Sequence, residues 1–268
     1  NPLQLPLWLP TPRNRAFHAA IRFLDQLIYG LLAERRRSGA THDDLLDLLL
    51  RARDEETHAR LSDRELRDEA LTIFAAGHET TAKALAGTCD LLATHPAAKA
   101  RFHEEVDRVL QGRLPTADDL PSLAYTRAVF DESLRLYPPV PAVQRKAATA
   151  TSVCGLPLPA GAVVLVCTYN LHRHPAFWQA PNRFMPERWL DGTRPPVRGA
   201  YLPFGAGPRA CVGTHFATVE AQLLLALIGR RYDPQLAQEH VEPDVMVTLR
   251  PKNGIRMWLR PRRVGRPG

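Results

Sequence analysis

A mainly α fold with small β-sheets is what this sequence predicts, on three observations. Apolar residues recur at helical spacing through most of the first half and again after residue 212. Strand-like runs are short and fall only in 151–170 and 244–260. The 24 prolines gather around 2–12, 138–141, 175–208 and the C-terminus, where they mark ordered, irregular connections. At 268 residues and 45% apolar content the chain can bury a full core, and no repeat or linker divides it. One domain over 1–268 is expected.

The elements follow in order. Residues 1–13 are a Pro-rich, extended loop. A helix over 14–37 carries Phe17, Ile21, Leu24, Ile28, Leu31 and Leu32 and stops at Ser38-Gly39. A short leucine-rich helix covers 42–52. Ser62-Asp63-Arg64-Glu65 is a capping box, and the helix it opens runs over 62–93, roughly 45–50 Å at 1.5 Å per residue. Pro96 starts a further helix that ends near Gly112, and another spans 124–136 and stops at Pro138-Pro139. Ser152–Gly155 and Ala162–Cys167 read as strands around a Pro-Ala-Gly turn. Residues 212–230 are helical, and 244–260 suggest a terminal hairpin around Pro251-Lys252-Asn253-Gly254.

Composition narrows the function. The net charge of +7 is scattered, its densest runs being Arg35-Arg36-Arg37 and the tail Arg260, Arg262, Arg263 and Arg266. Without interleaved aromatics or a nucleic-acid motif these read as solvated surface, so no nucleic-acid partner is expected. No apolar run reaches membrane-spanning length, which fits a cytoplasmic location. The chain opens at Asn1 and reads as a fragment, so any N-terminal anchor would lie outside it.

Of four cysteines, Cys89, Cys154 and Cys167 sit in apolar or strand-like stretches and read as small core residues. Without a CxxC, neither a disulfide framework nor a zinc ribbon is expected. Cys211 differs. It stands in Phe-Gly-Ala-Gly-Pro-Arg-Ala-Cys-Val-Gly, residues 204–213, two residues after Arg209 and just before a helix. A cation and a helix N-terminus both favour a thiolate. Gly205, Gly207 and Gly213 allow close backbone approach to a flat group, or turns barred to other residues. A single thiolate suits haem iron better than zinc, which collects several protein ligands.

Three further patterns carry chemistry. Ala76-Gly77-His78-Glu79-Thr80-Thr81 lies mid-helix, where Gly77 costs about 1 kcal/mol against alanine. A Thr80 hydroxyl bonding back to Ala76 would open a turn, leaving Glu79 and Thr80 as an acid and a hydroxyl for proton delivery; a tolerated weak spot or a close helix crossing at Gly77 is the plainer reading. Glu132 and Arg135 share a helix face, and Arg188, in Pro-Glu-Arg-Trp, offers a second guanidinium for one carboxylate. His172-Arg173-His174 has metal-like spacing, but no third ligand or acid sits nearby, so a turn with hydrogen-bonding imidazoles is expected. Arg145 is a surface cation or faces an anionic ligand.

In this order the motifs resemble the cytochrome P450 family, the haem-thiolate monooxygenases, from about residue 14 to 263. The resemblance implies haem b with Cys211 as axial thiolate, pushing electron density that favours O–O cleavage. It implies Phe204 packed near the sulfur, Arg209 and Arg145 as propionate partners, and Ala76, Gly77, Gly205 and Gly213 beside the cofactor. Glu79 and Thr80 resemble the family's proton-delivering pair, and Glu132, Arg135 and Arg188 its structural triad. Substrate contacts are expected at Ile73, Phe74, Ala76, Val140–Val143 and Val247. Dioxygen would be the oxygen source and the substrate an apolar small molecule. With no GxGxxG fingerprint, electrons would come from a ferredoxin or another separate reductase. A peroxide-driven oxygenase is disfavoured because such members usually lack the acid–alcohol pair. Family members are longer at the N-terminus, so a haem-binding, non-catalytic fragment is the alternative from outside the enzymes.

Overall fold

The computed structural model describes residues 6–39, 41–53, 55–190, 197–239, 241–245 and 247–262. Parts of the Pro-rich opening, of the 175–208 stretch and of the arginine tail, including Arg263 and Arg266, lie outside these. The described residues form two compact units, 1–78 and 79–268.

The first unit holds α1 (Pro12–Ser38), α2 (Leu45–Arg51) and the start of α3 (Asp63–Thr94). Thr11 caps α1 by accepting the Asn14 N–H at 3.1 Å, and Gly39 ends it at φ 58°, a left-handed conformation that favours glycine. At the start of α3 the capping box forms as expected: Glu65 Oε2 accepts from the Ser62 N–H at 2.8 Å and from its hydroxyl at 2.6 Å. Ile28, Leu32 and Leu66 form a small core, with Leu46, Leu49 and Leu71 packed on it.

The second unit carries the main core. Between α4 (Pro96–Leu110), α5 (Ala124–Leu136) and α7 (Thr214–Arg231) lie Phe102, Val106, Leu110, Val129, Phe130, Leu134 and Leu225. Close approach decides one position: a methyl group at Gly229 would lie 2.5 Å from the Phe102 ring. Buried Glu105 on α4 serves as the N-terminal cap of α5, accepting the Tyr125 and Thr126 N–H groups at 2.7 Å each. That replaces the local cap that the sequence before α5 lacks.

The small sheets differ from expectation in their pairing. Antiparallel partners are β1 (Val143–Lys146) with β4 (Val163–Val166), and β2 (Thr151–Val153) with β3 (Leu156–Leu158). The Pro-Ala-Gly turn therefore separates two ladders. The tight turn is Cys154-Gly155, where Cys154 takes φ 50° and is exposed, so it is no core residue. After the short α6 (Thr168–Leu171), β5 (Tyr232–Leu236) pairs with β8 (Met257–Pro261), and β6 (Pro243–Val245) with β7 (Leu249–Pro251). The expected hairpin around 251–254 is corrected accordingly: β7 pairs with β6, and β8 goes to the strand that leaves α7. Local turn residues signal a reversal, but the partner is chosen by long-range packing.

No described helix is long and apolar enough to cross a membrane.

Candidate functional site

At the root of the site is a buried carboxylate. Glu132 and Arg135, both on α5, have fully buried side chains. All five Arg135 N–H groups are satisfied. Two go to Glu132 at 2.8 Å each, and three to the carbonyls of His172, Pro181 and Arg183 at 2.8, 2.6 and 3.0 Å. Glu132 also accepts from Arg188 Nε at 3.1 Å, Trp189 Nε1 at 3.0 Å and the Met185 N–H at 2.9 Å. The Pro-rich connection at 181–189, which has no ladder of its own, is thus pinned to a helix through one anion.

The brace continues toward the cysteine. His172 is buried, and its Nε2 accepts the Leu202 N–H at 2.8 Å, which places the ring proton on Nδ1. Burial, with Arg135 nearby, pushes its pKa down to about 4. Tyr201 packs at a tilt on Trp189, with ring centroids 4.5 Å apart, and donates to the Asp131 carbonyl at 2.9 Å. Trp178, Trp189 and Tyr201 were not assigned from the sequence, and His172 was assigned only a hydrogen-bonding role in a turn. Their signal was the run of aromatics and imidazoles at 172–201, readable only with the brace in view. The expected hydrogen-bonding role of the His172 imidazole is met, and no cluster of three metal-ligating side chains occurs among the described residues.

From this root the 204–213 loop winds outward. Gly205 N–H donates to Leu202 O at 3.1 Å, Ala210 N–H to Gly207 O at 3.0 Å and Cys211 N–H to Phe204 O at 2.8 Å. Gly205 and Gly207 take φ 71° and 74°, so the loop needs glycine at both. Gly213 does not: its φ is −83°, and it serves as N-cap of α7, 3.8 Å from Cys211 Sγ by its missing methyl. Phe204 packs on the core, while Cys211 is exposed, followed by Val212 at 94% exposure. Arg209 is exposed in a 3-10 turn, and Arg145 is exposed on β1 with Val164 opposite. Neither has a carboxylate partner among the described residues. By contrast Cys89 is a helix residue whose thiol burial pushes up to about 11.

The other candidates are carried by other elements. α3 keeps α-helical conformation through 76–81, so the expected opened turn is not seen. Thr72 and Thr88 bond back to Asp68 and Ala84 at 2.7 and 2.8 Å without breaking the helix, which shows how it absorbs such bonds. Outside its own helix backbone and chain neighbours, no described atom lies within 4 Å of a methyl placed on Gly77, whereas one at Gly87 would lie 3.5 Å from Tyr137. Ala76 is exposed, Ile73 half-buried, and Phe74 exposed with its ring stacked on His78 at 6.4 Å. Thr80 is half-buried. Glu79 is ion-paired with Lys83, which also bonds Thr248, and this interaction holds the Glu79 carboxyl below its usual range. The Leu249 N–H donates to Pro139 O at 2.8 Å, which brings the turn bearing Val247 against the proline turn before Val140 and Val143. No hydrogen bond or ion pair joins Glu79 or Arg145 to the Cys211 loop among the described residues.

A family model for cytochrome P450 matches residues 1–257. The chain belongs to the cytochrome P450 family. Cyclooctat-9-en-7-ol 5-monooxygenase of Streptomyces melanosporofaciens is 47% identical over 232 residues, 86% of this chain and 50% of that protein. Cyclooctatin synthase of the same organism is 42% identical over 87% of this chain and 51% of its own length. Pentalenene oxygenase of Streptomyces avermitilis is 38% identical over 96% of this chain and 58% of its own. The chain spans about half the length of the curated relatives it matches.

Haem b is the cofactor of cytochrome P450 proteins, and the residues present fit it. Of the two exposed thiols, that of Cys211 sits on the glycine-shaped loop, and among the described residues it has no companion ligands of the kind zinc requires, as would suit haem iron. The Arg209 and Arg145 guanidiniums, without carboxylate partners among the described residues, are available for anionic groups, and the exposed apolar Val212 and Phe216 follow the thiol in sequence.

Proposed function

We propose that the protein containing this chain is a monooxygenase that inserts one atom of dioxygen into an apolar small molecule, using electrons from a separate redox partner. The observation that carries this is the exposed Cys211 thiol, on a residue whose backbone N–H donates to the Phe204 carbonyl in a loop rooted in the Glu132–Arg135 brace. Cys211 would ligate the haem, and Arg209 and Arg145 would neutralise its carboxylates. When bound, haem supplies redox and dioxygen chemistry that no side chain of this chain can perform. The chain's own work is then to keep the sulfur as a thiolate, to exclude water with Phe204 and the aliphatic residues at 140–143, and to move protons through Glu79 and Thr80.

The names of the relatives, pentalenene oxygenase and cyclooctat-9-en-7-ol 5-monooxygenase, point to cyclic hydrocarbon skeletons. A cyclic terpene is therefore the first substrate class to test. A ferredoxin is the proposed donor and the cytoplasm the proposed location. The single-domain reading of 1–268, as the C-terminal part of such an enzyme, belongs to the same proposal. The test is the reduced carbon monoxide spectrum of the full-length protein. A thiolate-type Soret band that disappears in Cys211→Ala supports the assignment, and a band unchanged in that variant refutes it.

A further inference from the structure

The route from the buried brace to the Cys211 thiol passes through one imidazole, which gains a role of its own if Cys211 is the haem ligand, as proposed above. Arg135 Nη1 donates to the His172 carbonyl at 2.8 Å, so the brace fixes the His172 backbone. His172 Nε2 accepts the Leu202 N–H at 2.8 Å. The Leu202 carbonyl accepts from the Gly205 N–H at 3.1 Å, and the Phe204 carbonyl from the Cys211 N–H at 2.8 Å. Among the described residues, the bond to His172 is the one hydrogen bond by which the 201–204 backbone reaches outside the 201–213 segment. Tyr201 and Phe204 are held through their side chains, on Asp131 and on the core. The backbone between them therefore depends on that single bond.

Groups behind a metal ligand fix its orientation. We propose that His172 is such a positioning residue: its neutral imidazole sets the backbone of 202–204 and through it the position of the Cys211 sulfur, so that thiolate ligation depends on His172 staying unprotonated. Two properties suit an imidazole to this task. A neutral acceptor leaves Arg135 to Glu132, whereas a carboxylate at 172 would compete for that guanidinium. The acceptor is also lost with one proton, because an imidazolium Nε2 becomes a donor and meets the Leu202 N–H donor to donor. The surroundings keep the ring neutral. It is fully buried, lies 5.2 Å from the Tyr201 ring, and faces two cations, Arg135 from α5 and Arg173 from its own turn. The nearby carboxylates are turned to other partners, Glu132 to Arg135 and Arg188, and Asp131 to Arg127. Burial first, then the two arginines, push the His172 pKa down to about 4.

The test uses the full-length, haem-loaded protein with His172→Gln, His172→Phe and Cys211→Ala. The reduced carbon monoxide spectrum and far-UV circular dichroism are followed from neutral pH down toward 4. Glutamine offers a neutral acceptor that takes up no proton in this range, and phenylalanine offers none. At neutral pH His172→Gln should keep the thiolate-type Soret band, and His172→Phe should lose most of it with its helices intact. Hydrogen exchange of the 202–205 amides should rise several-fold in His172→Phe and stay near wild type in His172→Gln. On acidification the wild-type band should fall while the far-UV signal is still native, and in His172→Gln that fall should move to lower pH. A wild-type band and wild-type exchange in His172→Phe overturn the proposal. So does an unshifted acid midpoint in His172→Gln, or a band that falls only with the far-UV signal. Should His172→Phe not fold, the acid midpoint of His172→Gln decides alone. Failure of the underlying ligand assignment looks different: Cys211→Ala would then keep a thiolate-type band.

Discussion

The brace around Glu132 and the loop around Cys211 are neighbours that solve opposite problems. In the brace every charged atom is turned inward and answered by protein: Arg135 has a partner for each of its donors, and Glu132 accepts from two guanidiniums, an indole and a backbone amide. In the loop the backbone is tied down while the functional side chains face out. The Cys211 thiol, Arg209 and Val212 are all exposed, and only Phe204 reaches the core. A site that must receive a large cofactor needs both. Groups aimed at a ligand cannot also hold the fold, so another set close in space must.

This contrast fixes how substitutions should rank for stability. Glu132→Ala should be the most damaging, because it leaves Arg135 buried without its counter-charge; about 3–5 kcal/mol is expected, measured by urea unfolding. Were its cost near zero, the brace would be ornament. Trp189→Phe removes one hydrogen bond to the buried carboxylate and should cost about 1–3 kcal/mol in the same assay. A smaller effect, dependent on pH, belongs to His172. Its folded pKa, about 4, lies below the ordinary 6.5. Below pH 6.5 the unfolded chain takes up a proton that the folded chain refuses. Stability from this group is full above that value and is lost as pH falls toward 4, and His172→Gln should flatten that part of the stability curve. Cys211→Ala should come last, within about 0.5 kcal/mol of wild type, although it abolishes the thiolate spectrum. If it instead destabilised the apoprotein as much as Glu132→Ala, the division between brace and loop would fail.

Much of this was legible before any coordinates. Helical periodicity placed α3, α4 and α5 within a residue or two at most ends, and the capping box at Ser62 was read directly. The Cys211 loop was legible because its glycines, proline and arginine have little other reason to stand together. The strand partners of β1, β4 and β8 were not, since a three- or four-residue strand carries too little pattern to choose among edges. Nor was Lys83, which looks like any surface lysine until the turn at 248 is folded over it.

The sequence by itself therefore determined much of the local structure: which residues are helical, and which thiol, carboxylate and hydroxyl are the candidates for the reactive groups. Tertiary structure alone decided which of them are buried and by whom they are held. Burial and partner choice are long-range: His172 meets Leu202 thirty residues on, and Lys83 meets Thr248 across 165 residues. Such meetings depend on the packing of the whole core, not on any window of sequence in which these residues appear.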